Sequence, residues 1–377
     1  MRVLHIITGL NDGGAEGVLY RLITHNPHDA HYVVSMTGEG KYGRLLRARG
    51  VEVIDLAMPR GSVIWPSVFG LWRKLRAIRP DVVQTWMYHA NLVGGVLARL
   101  AGIPVIWGIR STLLEKNYLT RTSTVVTRIC GCLSHWIPAR IISCAKAAVD
   151  AHSRLGYDAA RMVVIPNGYD LSLFAPDSAT CHRLRRQWDI PDNVPLLGVV
   201  ARYEPWKDHA NLINALACLW HKKGKDFRAV MAGVGISHDN SELAALMQSA
   251  GLSERALLLG PRDDIHAVMG ALDVYVLSSA AEAFPNVLAE AMACGTPCVV
   301  TNVGDASLIV GDTGWVVPPR NPEALADALS QAIDAMQNAS AWRTRQLRCR
   351  QRIAENFSIE TMVQRYRLVW KEAIMGV

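Results

Sequence analysis

Among its eight cysteines the sequence has no C-x-x-C pair. Cys130 and Cys132 stand one residue apart, a poor spacing for zinc ligands, and no second pair completes a site, so no structural metal is expected. Their scatter through apolar surroundings reads as small core residues of a reducing compartment rather than a disulfide framework. Long hydrophobic runs are missing as well. The longest apolar stretch, Asn91 to Ile109, is interrupted by Arg99 and Pro104, which makes it helix, turn and strand instead of a membrane span. The opening M-R-V-L-H-I-I-T-G-L is too short an apolar run for a signal peptide and flows into a glycine turn, as a first strand does. No tail or low-complexity linker stands out either. With half of its 377 residues hydrophobic, the chain is expected to be folded almost throughout.

What is present points to two α/β domains. Short β-branched runs alternate with helical patterns, and strands are expected at Val3–Thr8, Tyr32–Met36, Val51–Leu56, Val82–Trp86, Val105–Ile109, Ile141–Cys144 and Val163–Pro166. A second series runs Leu196–Ala201, Phe227–Ala232, Leu257–Gly260, Val274–Ser278, Pro297–Thr301 and Trp315–Val317. Such alternation implies parallel sheets with helices on both faces. The expected division is a first domain at 1–172, completed by a C-terminal helix within 358–377, and a second at 173–357. Between them Pro166, Asn167, Gly168, Pro176, Pro191 and Pro195 punctuate the chain. Two doubly wound domains of this kind turn the carboxyl ends of both sheets toward a shared cleft where ligand binds.

Charge is uneven. The net +7 resolves into 20 Lys+Arg against 11 Asp+Glu over residues 1–170 and 20 against 22 over the rest. A basic first half attracts anionic lipid or an acidic polymer. A nucleic-acid partner is not expected, because no basic–aromatic stripe or recognition motif accompanies the charge. Arg121, Arg128 and Arg140 lie among apolar residues and Trp136, a pattern that suits either a helix packed on the first sheet or one lying against an anionic membrane.

Three segments carry chemistry. The first strand runs through Gly9 into Asn11-Asp12-Gly13-Gly14-Ala15-Glu16 and a helical pattern, where glycines let backbone amides approach a phosphate. Arg202, at the end of a strand, and Lys207, near the next helix start, are placed to reach one point from two sides and neutralise a diphosphate leaving group. Glu282 and Glu290 bracket A-F-P-N-V-L-A, with one acid in a loop and the other on a helix, and Pro285 suits the first helical turn. Carboxylates accept from sugar hydroxyls and helix-start amides favour phosphate, so the segment suits a nucleotide sugar.

Taken with Pro166-Asn167-Gly168-Tyr169-Asp170 and Ala291-Met292-Ala293-Cys294-Gly295-Thr296-Pro297, these segments resemble the retaining glycosyltransferases of the GT-B fold, family 4, from about residue 1 to about residue 355. The resemblance implies that Glu282 contacts hydroxyls of the transferred sugar and Glu290 the ribose. It implies that Arg202 and Lys207 stabilise the diphosphate, that Gly13 and Gly14 approach it from the first domain, and that backbone amides around Phe284, Asn286 and Val287 complete the donor cradle. Retention of anomeric configuration without a bound metal or other cofactor follows from the same likeness. Many members carry a histidine near the end of the fourth strand. Here Gln84-Thr85-Trp86-Met87-Tyr88-His89 offers Tyr88 or His89 slightly later, as a sugar or acceptor contact. The expected activity is transfer from a nucleoside-diphosphate sugar to a glycan acceptor, lipid-linked, in cell-surface polysaccharide, O-antigen or lipooligosaccharide assembly. The expected location is cytoplasmic, peripheral on the inner face of the membrane. Alternatives are another GT-B activity, such as a nucleotide-sugar epimerase or a phosphorylase, and a non-catalytic sugar-binding scaffold.

Overall fold

A computed structural model describes residues 1–59, 65–112, 120–175 and 177–376. Pro176, one of the prolines named at the domain join, lies outside the described residues. The chain divides into two compact units, Met1–Gly168 with Ile359–Val377, and Tyr169–Ser358.

In the first unit, strands β1 (Arg2–Ile7), β2 (Ala30–Ser35), β3 (Glu52–Asp55), β4 (Val82–Trp86), β5 (Val105–Ile109), β6 (Arg140–Ser143) and β7 (Met162–Val164) alternate with helices α1 (Gly14–Thr24), α2 (Gly40–Ala48), α3 (Trp65–Ile78), α4 (Tyr88–Leu100), α5 (Arg121–Leu133) and α6 (Lys146–Arg154). The seven strands pair in the order β3-β2-β1-β4-β5-β6-β7, all parallel. β4 and β5 are buried at every residue, as strands covered on both faces must be; β5 is apolar throughout, and β4 carries the buried polar Gln84 and Thr85.

The second unit opens with α7 (Ser178–Gln187). It continues through β8 (Leu196–Val200), α8 (His209–His221), β9 (Arg228–Ala232), α9 (Ser241–Ser249), β10 (Ala256–Leu258), α10 (Ile265–Ala271) and β11 (Val274–Leu277). It ends with α11 (Asn286–Ala293), β12 (Cys298–Thr301), α12 (Ala306–Val310), β13 (Trp315–Val317), α13 (Pro322–Met336) and α14 (Ala339–Asn356). Its sheet is parallel throughout, in the order β10-β9-β8-β11-β12-β13. Arginines of α14 close the far ends of neighbouring helices. Arg350 donates to Ala293 O at the end of α11 and, at 2.8 Å, to Leu171 O, while Arg352 Nε donates to Ile309 O in α12 at 2.7 Å. Last-turn carbonyls that lack intrahelical partners are satisfied this way, and α11 is anchored at the end remote from its start.

The chain then returns to the first unit as α15 (Ile359–Met375). Its buried face, Met362, Tyr366, Val369 and Trp370, joins a core with Val3, Ile7, Trp86 and Ile142. Trp370 donates its indole N–H to Gln84 Oε1 at 3.1 Å, so the buried amide has a partner.

Three histidines of this unit are folded neutral. His5 Nε2 and His31 Nδ1 are 3.0 Å apart; burial holds His5 well below its ordinary pKa and His31 at about 4. His152, wholly buried, is likewise held at about 4 by desolvation. Unfolded, such rings titrate near 6.5, so between that pH and about 4 the unfolded chain binds more protons. Stability that is fully present above pH 6.5 is therefore lost as pH falls toward 4, with on the order of 3 kcal/mol from His152 alone. The melting temperature is expected to drop steadily across that window, and a midpoint unchanged from pH 7 to pH 5 would contradict the neutral-histidine core.

Candidate active site

In an open parallel sheet the strand order reverses at one place, and the loops leaving the two strands there diverge to make room for a ligand. In the second unit that place is between β8 and β11. The loop after β8 carries Arg202 and Lys207, and the loop after β11 carries Glu282. Backbone bonds tie the loops together: Ala280 N–H donates to Trp206 O at 2.8 Å and Ser278 Oγ to Lys207 O at 3.0 Å. Asp208 takes the left-handed conformation (φ 51°) and caps α8 by accepting from Asn211 N–H at 3.1 Å, which turns the chain sharply just after Lys207. Behind Glu282, Gly304 (φ 53°) presses its backbone so close that a Cβ there would stand 2.5 Å from Glu282 O and 2.4 Å from Ala283 O. Only glycine fits that contact, and it fixes the course of the acidic loop.

The centre of the arrangement is an ion pair. Lys207 Nζ lies 2.5 Å from Glu282 Oε1, with side chains 14% and 12% exposed, and Ser279 Oγ donates to the same oxygen at 2.9 Å. In the sequence these charges are 75 residues apart, and the family resemblance gives them different parts of a donor. The structure brings them together. Arg202 is placed otherwise: its side chain is 58% exposed and faces Glu204 at 3.6 Å, so the expectation that both cations converge on one point is not met here. An exposed pair of that kind holds Arg202 weakly and leaves it free to turn to another anion.

α11 starts beside this pair and has no side-chain cap. Pro285 stands one residue before the helix instead of in its first turn, because its ψ of 98° is extended while its ring sets φ at −71°. Asn286 and Val287 open the helix and are half-buried, and Asn286 Oδ1 accepts from Tyr169 OH at 2.7 Å. Phe284 is buried against Phe357, with ring centroids 5.6 Å apart, so any contact it makes with a ligand is through its backbone. Glu290 is half-buried one turn further along α11.

His209 was not singled out in the sequence. It is the first residue of α8, buried beside Tyr203 at 5.2 Å between ring centroids, and its Nε2 has no hydrogen-bond partner. Burial first and the Lys207 charge second hold its pKa at about 4. Its position directly after Lys207-Asp208 is the one signal the sequence carried.

In the first unit the strand order reverses between β1 and β4. Gly13 precedes α1 with extended backbone and no side-chain cap, and Gly14 is the first helical residue. The Glu16 carboxylate folds back over this start, so that a Cβ on Gly13 would lie 2.4 Å from Glu16 Oε2. After β4, Met87 has φ 71° and ψ 167°, a region sparsely populated by any residue but glycine and costing about 1–3 kcal/mol. Tyr88 does not offer its hydroxyl to a ligand. It is buried, and its O–H donates to His152 Nε2 at 3.1 Å, a direction fixed because His152 Nδ1 donates to Ala148 O at 2.7 Å. His89 is half-buried, with its pKa lowered by burial.

Among the described residues no three His, Cys, Asp or Glu side chains converge to hold a metal ion, and no helix is long and apolar enough to cross a membrane.

Residues 12–173 match the family described as Glycosyltransferase Family 4, and residues 182–346 match Glycosyl transferases group 1. The chain is a family 4 glycosyltransferase. The D-inositol 3-phosphate glycosyltransferase of Corynebacterium glutamicum (strain R) is 29% identical over 67% of this chain and 64% of that protein. The UDP-Gal:alpha-D-GlcNAc-diphosphoundecaprenol alpha-1,3-galactosyltransferase of Escherichia coli is 24% identical over 82% and 80%. The crystal structure of Anabaena HepE in complex with UDP and glucose superposes with a TM-score of 0.85 at 24% identity, covering 99% of this chain and all of the other. The fold is thus GT-B.

Removing one partner of the desolvated pair leaves the other charge uncompensated. Lys207→Met is expected to cost about 3 kcal/mol of stability, and adding Glu282→Gln to recover most of it. Equal stability of Lys207→Met and the parent in urea unfolding would show the pair to be solvated.

Proposed function

We propose that this glycosyltransferase moves a sugar from a nucleoside-diphosphate sugar to a phosphate-bearing, lipid-linked glycan acceptor, with retention at the anomeric carbon, in assembly of a cell-surface polysaccharide. The observation that carries the reading is the Lys207–Glu282 pair beside the uncapped start of α11, at the reversal of the second sheet. A diphosphate set against α11 meets the helix-start amides and the Lys207 ammonium, and Arg202 turns from Glu204 to join them. Glu282, held by Ser279, then accepts from hydroxyls of the sugar, and Glu290 from those of the ribose. As the anomeric bond breaks, negative charge gathers on the diphosphate, where these cations and amides already point. The leaving oxygen takes the acceptor proton on the same face, so neither glutamate acts as a base. Fixed protein cations do what a metal does elsewhere, and no cofactor is assigned.

The phosphate-bearing acceptor is supported by the printed names of the relatives, one of which acts on inositol 3-phosphate and another on a diphosphoundecaprenol-linked sugar. Cytoplasmic location with peripheral membrane contact is supported by one helical layer of the first unit. α3, α4 and α5 are neighbours, and α5 turns Thr127, Cys130 and Gly131 inward. Trp65 and Phe69 of α3, Val125 and Ile129 of α5 and Trp136 just after α5 are exposed, as are Arg73 and Arg76 of α3 and Arg121 and Arg128 of α5. Exposed apolar side chains and arginines on the same helices suit an anionic bilayer surface.

A panel of UDP-, GDP- and ADP-sugars is expected to yield one donor that raises the melting temperature, and Glu282→Ala and Arg202→Ala should each lower transfer from it by at least about a hundredfold. Wild-type rates in either variant would remove the assigned cradle. The protein should sediment with anionic vesicles at low salt and not with neutral ones, and Trp136→Ser with Phe69→Ser should weaken that binding; failure to bind anionic vesicles would sink the membrane contact.

A further inference from the structure

The second unit holds a cavity of about 300 Å³ that none of the donor-side residues lines. Leu272 and Asp273, just before β11, and Cys294 and Thr296, shortly before β12, belong to its wall. It therefore lies on the rim where the strands start, whereas the loops carrying Lys207 and Glu282 leave the opposite ends of β8 and β11. Helices α7 and α14 supply its sides. α7 turns Cys181, His182 and Arg185 to it, and α14 turns Arg343, Gln346, Leu347 and Arg350, spaced as one helical face requires.

The wall is more apolar than polar, with Cys181, the buried Leu272 and Cys294, and the exposed Leu347 in the apolar part. Burial pushes the Cys294 thiol up to about 12, so it presents an uncharged surface. Charge on the wall is matched in number but not in place. Asp273 accepts from Arg185 at 2.9 Å and from Leu196 N–H at 2.7 Å. Asp192 faces His182 at 3.5 Å and Arg185 at 3.9 Å, and Asp177 caps α7 through the amides of Ala179 and Thr180. The three carboxylates are thus committed, and none meets an arginine of α14. Arg350 is held by the carbonyls of Leu171, Phe174 and Ala293, which take its N–H groups and leave its charge. Arg343 is exposed and makes no hydrogen bond or ion pair among the described residues, and the half-buried amide of Gln346 makes none either. An apolar hollow with a free guanidinium fork and a free amide at its edge suits a planar, bidentate anion on an apolar body.

We propose that this cavity is a second ligand site, separate from the donor cradle, for a small organic carboxylate. The apolar body lies against Cys181, Leu272, Cys294 and Leu347, and the carboxylate takes paired N–H groups from Arg343 and one from Gln346, in the field of Arg350. The assignment is independent of the donor and acceptor readings above.

The test is titration of the intact chain with naphthoate, naphthylmethanol, naphthylmethylamine and naphthyl phosphate, followed by ligand-observed NMR. Naphthoate should bind about tenfold or more tightly than the neutral alcohol, and the amine more weakly than either. Arg343→Gln should weaken naphthoate about tenfold and leave the alcohol unchanged, with part of the loss recovered in Arg343→Lys. Because Arg343 is exposed, these variants should melt with the parent. Leu347→Asp should weaken acid and alcohol together. Bound naphthoate should also slow alkylation of Cys181 by iodoacetamide while the exposed Cys132 reacts as before, read by peptide mass spectrometry. Absence of naphthoate binding, equal affinity for acid and alcohol, indifference to Arg343→Gln, or an unprotected Cys181 overturns the proposal. Preference for naphthyl phosphate over naphthoate overturns the carboxylate assignment.

Discussion

Every strand in both sheets pairs in parallel with its neighbours, and the rest of the molecule follows from that constraint. Parallel pairing sends each chain out of the sheet at the same edge and brings it back through a helix that starts there. Strand exits and helix starts are thereby gathered on one rim of each unit, and the helix starts carry unsatisfied amides. The protein treats these starts differently. α7, α8, α9, α13 and α14 begin under the side chains of Asp177, Asp208, Asn240, Asn321 and Asn338. α1, α2, α4, α6, α10, α11 and α12 have no cap from the side chain of the residue before them, and of these α1 and α11 adjoin the glycines and charges assigned to the diphosphate.

On the second rim the electrostatics are prearranged. Lys207 and Glu282 are largely withdrawn from water and neutralise each other, with Ser279 filling a further position on the carboxylate. Neither charge is free to attract stray ions, and both are oriented before a ligand arrives. His209, which adjoins Lys207, is kept neutral by burial and by that same ammonium, so the positive charge at this point does not grow as pH falls toward 5. The Arg202–Glu204 pair is the mobile part, solvent-exposed and inexpensive to open.

Much of the fold was legible because a strand buried on both faces reads as a near-continuous apolar run, and β5, β8 and β11 are such runs. The segment from Glu282 to Glu290 was legible as loop followed by helix for a similar reason, with proline and core residues marking the change. What escaped were facts that depend on long-range approach. Nothing local joins Lys207 to Glu282, or Arg110 to a tyrosine 256 residues later. Tyr88 lost its expected place in a site to His152, a partner 64 residues away whose other nitrogen was already committed to its own helix. Pro285 was misplaced by one residue because its ring dictates φ and leaves ψ to the surroundings.

The return of α15 has a consequence for synthesis. The first unit is the first to be made, yet Tyr366 and Trp370, both fully buried in its core, are supplied by one of the last segments of the chain. The whole second unit is inserted in the chain between the body of the first and the helix that completes its core. Trp86 and His5 therefore obtain their ring contacts with Tyr366 and Trp370 only after all of the second unit has been made. A truncation that spares every donor-side residue but removes α15 would leave the second unit intact and the first without part of its core.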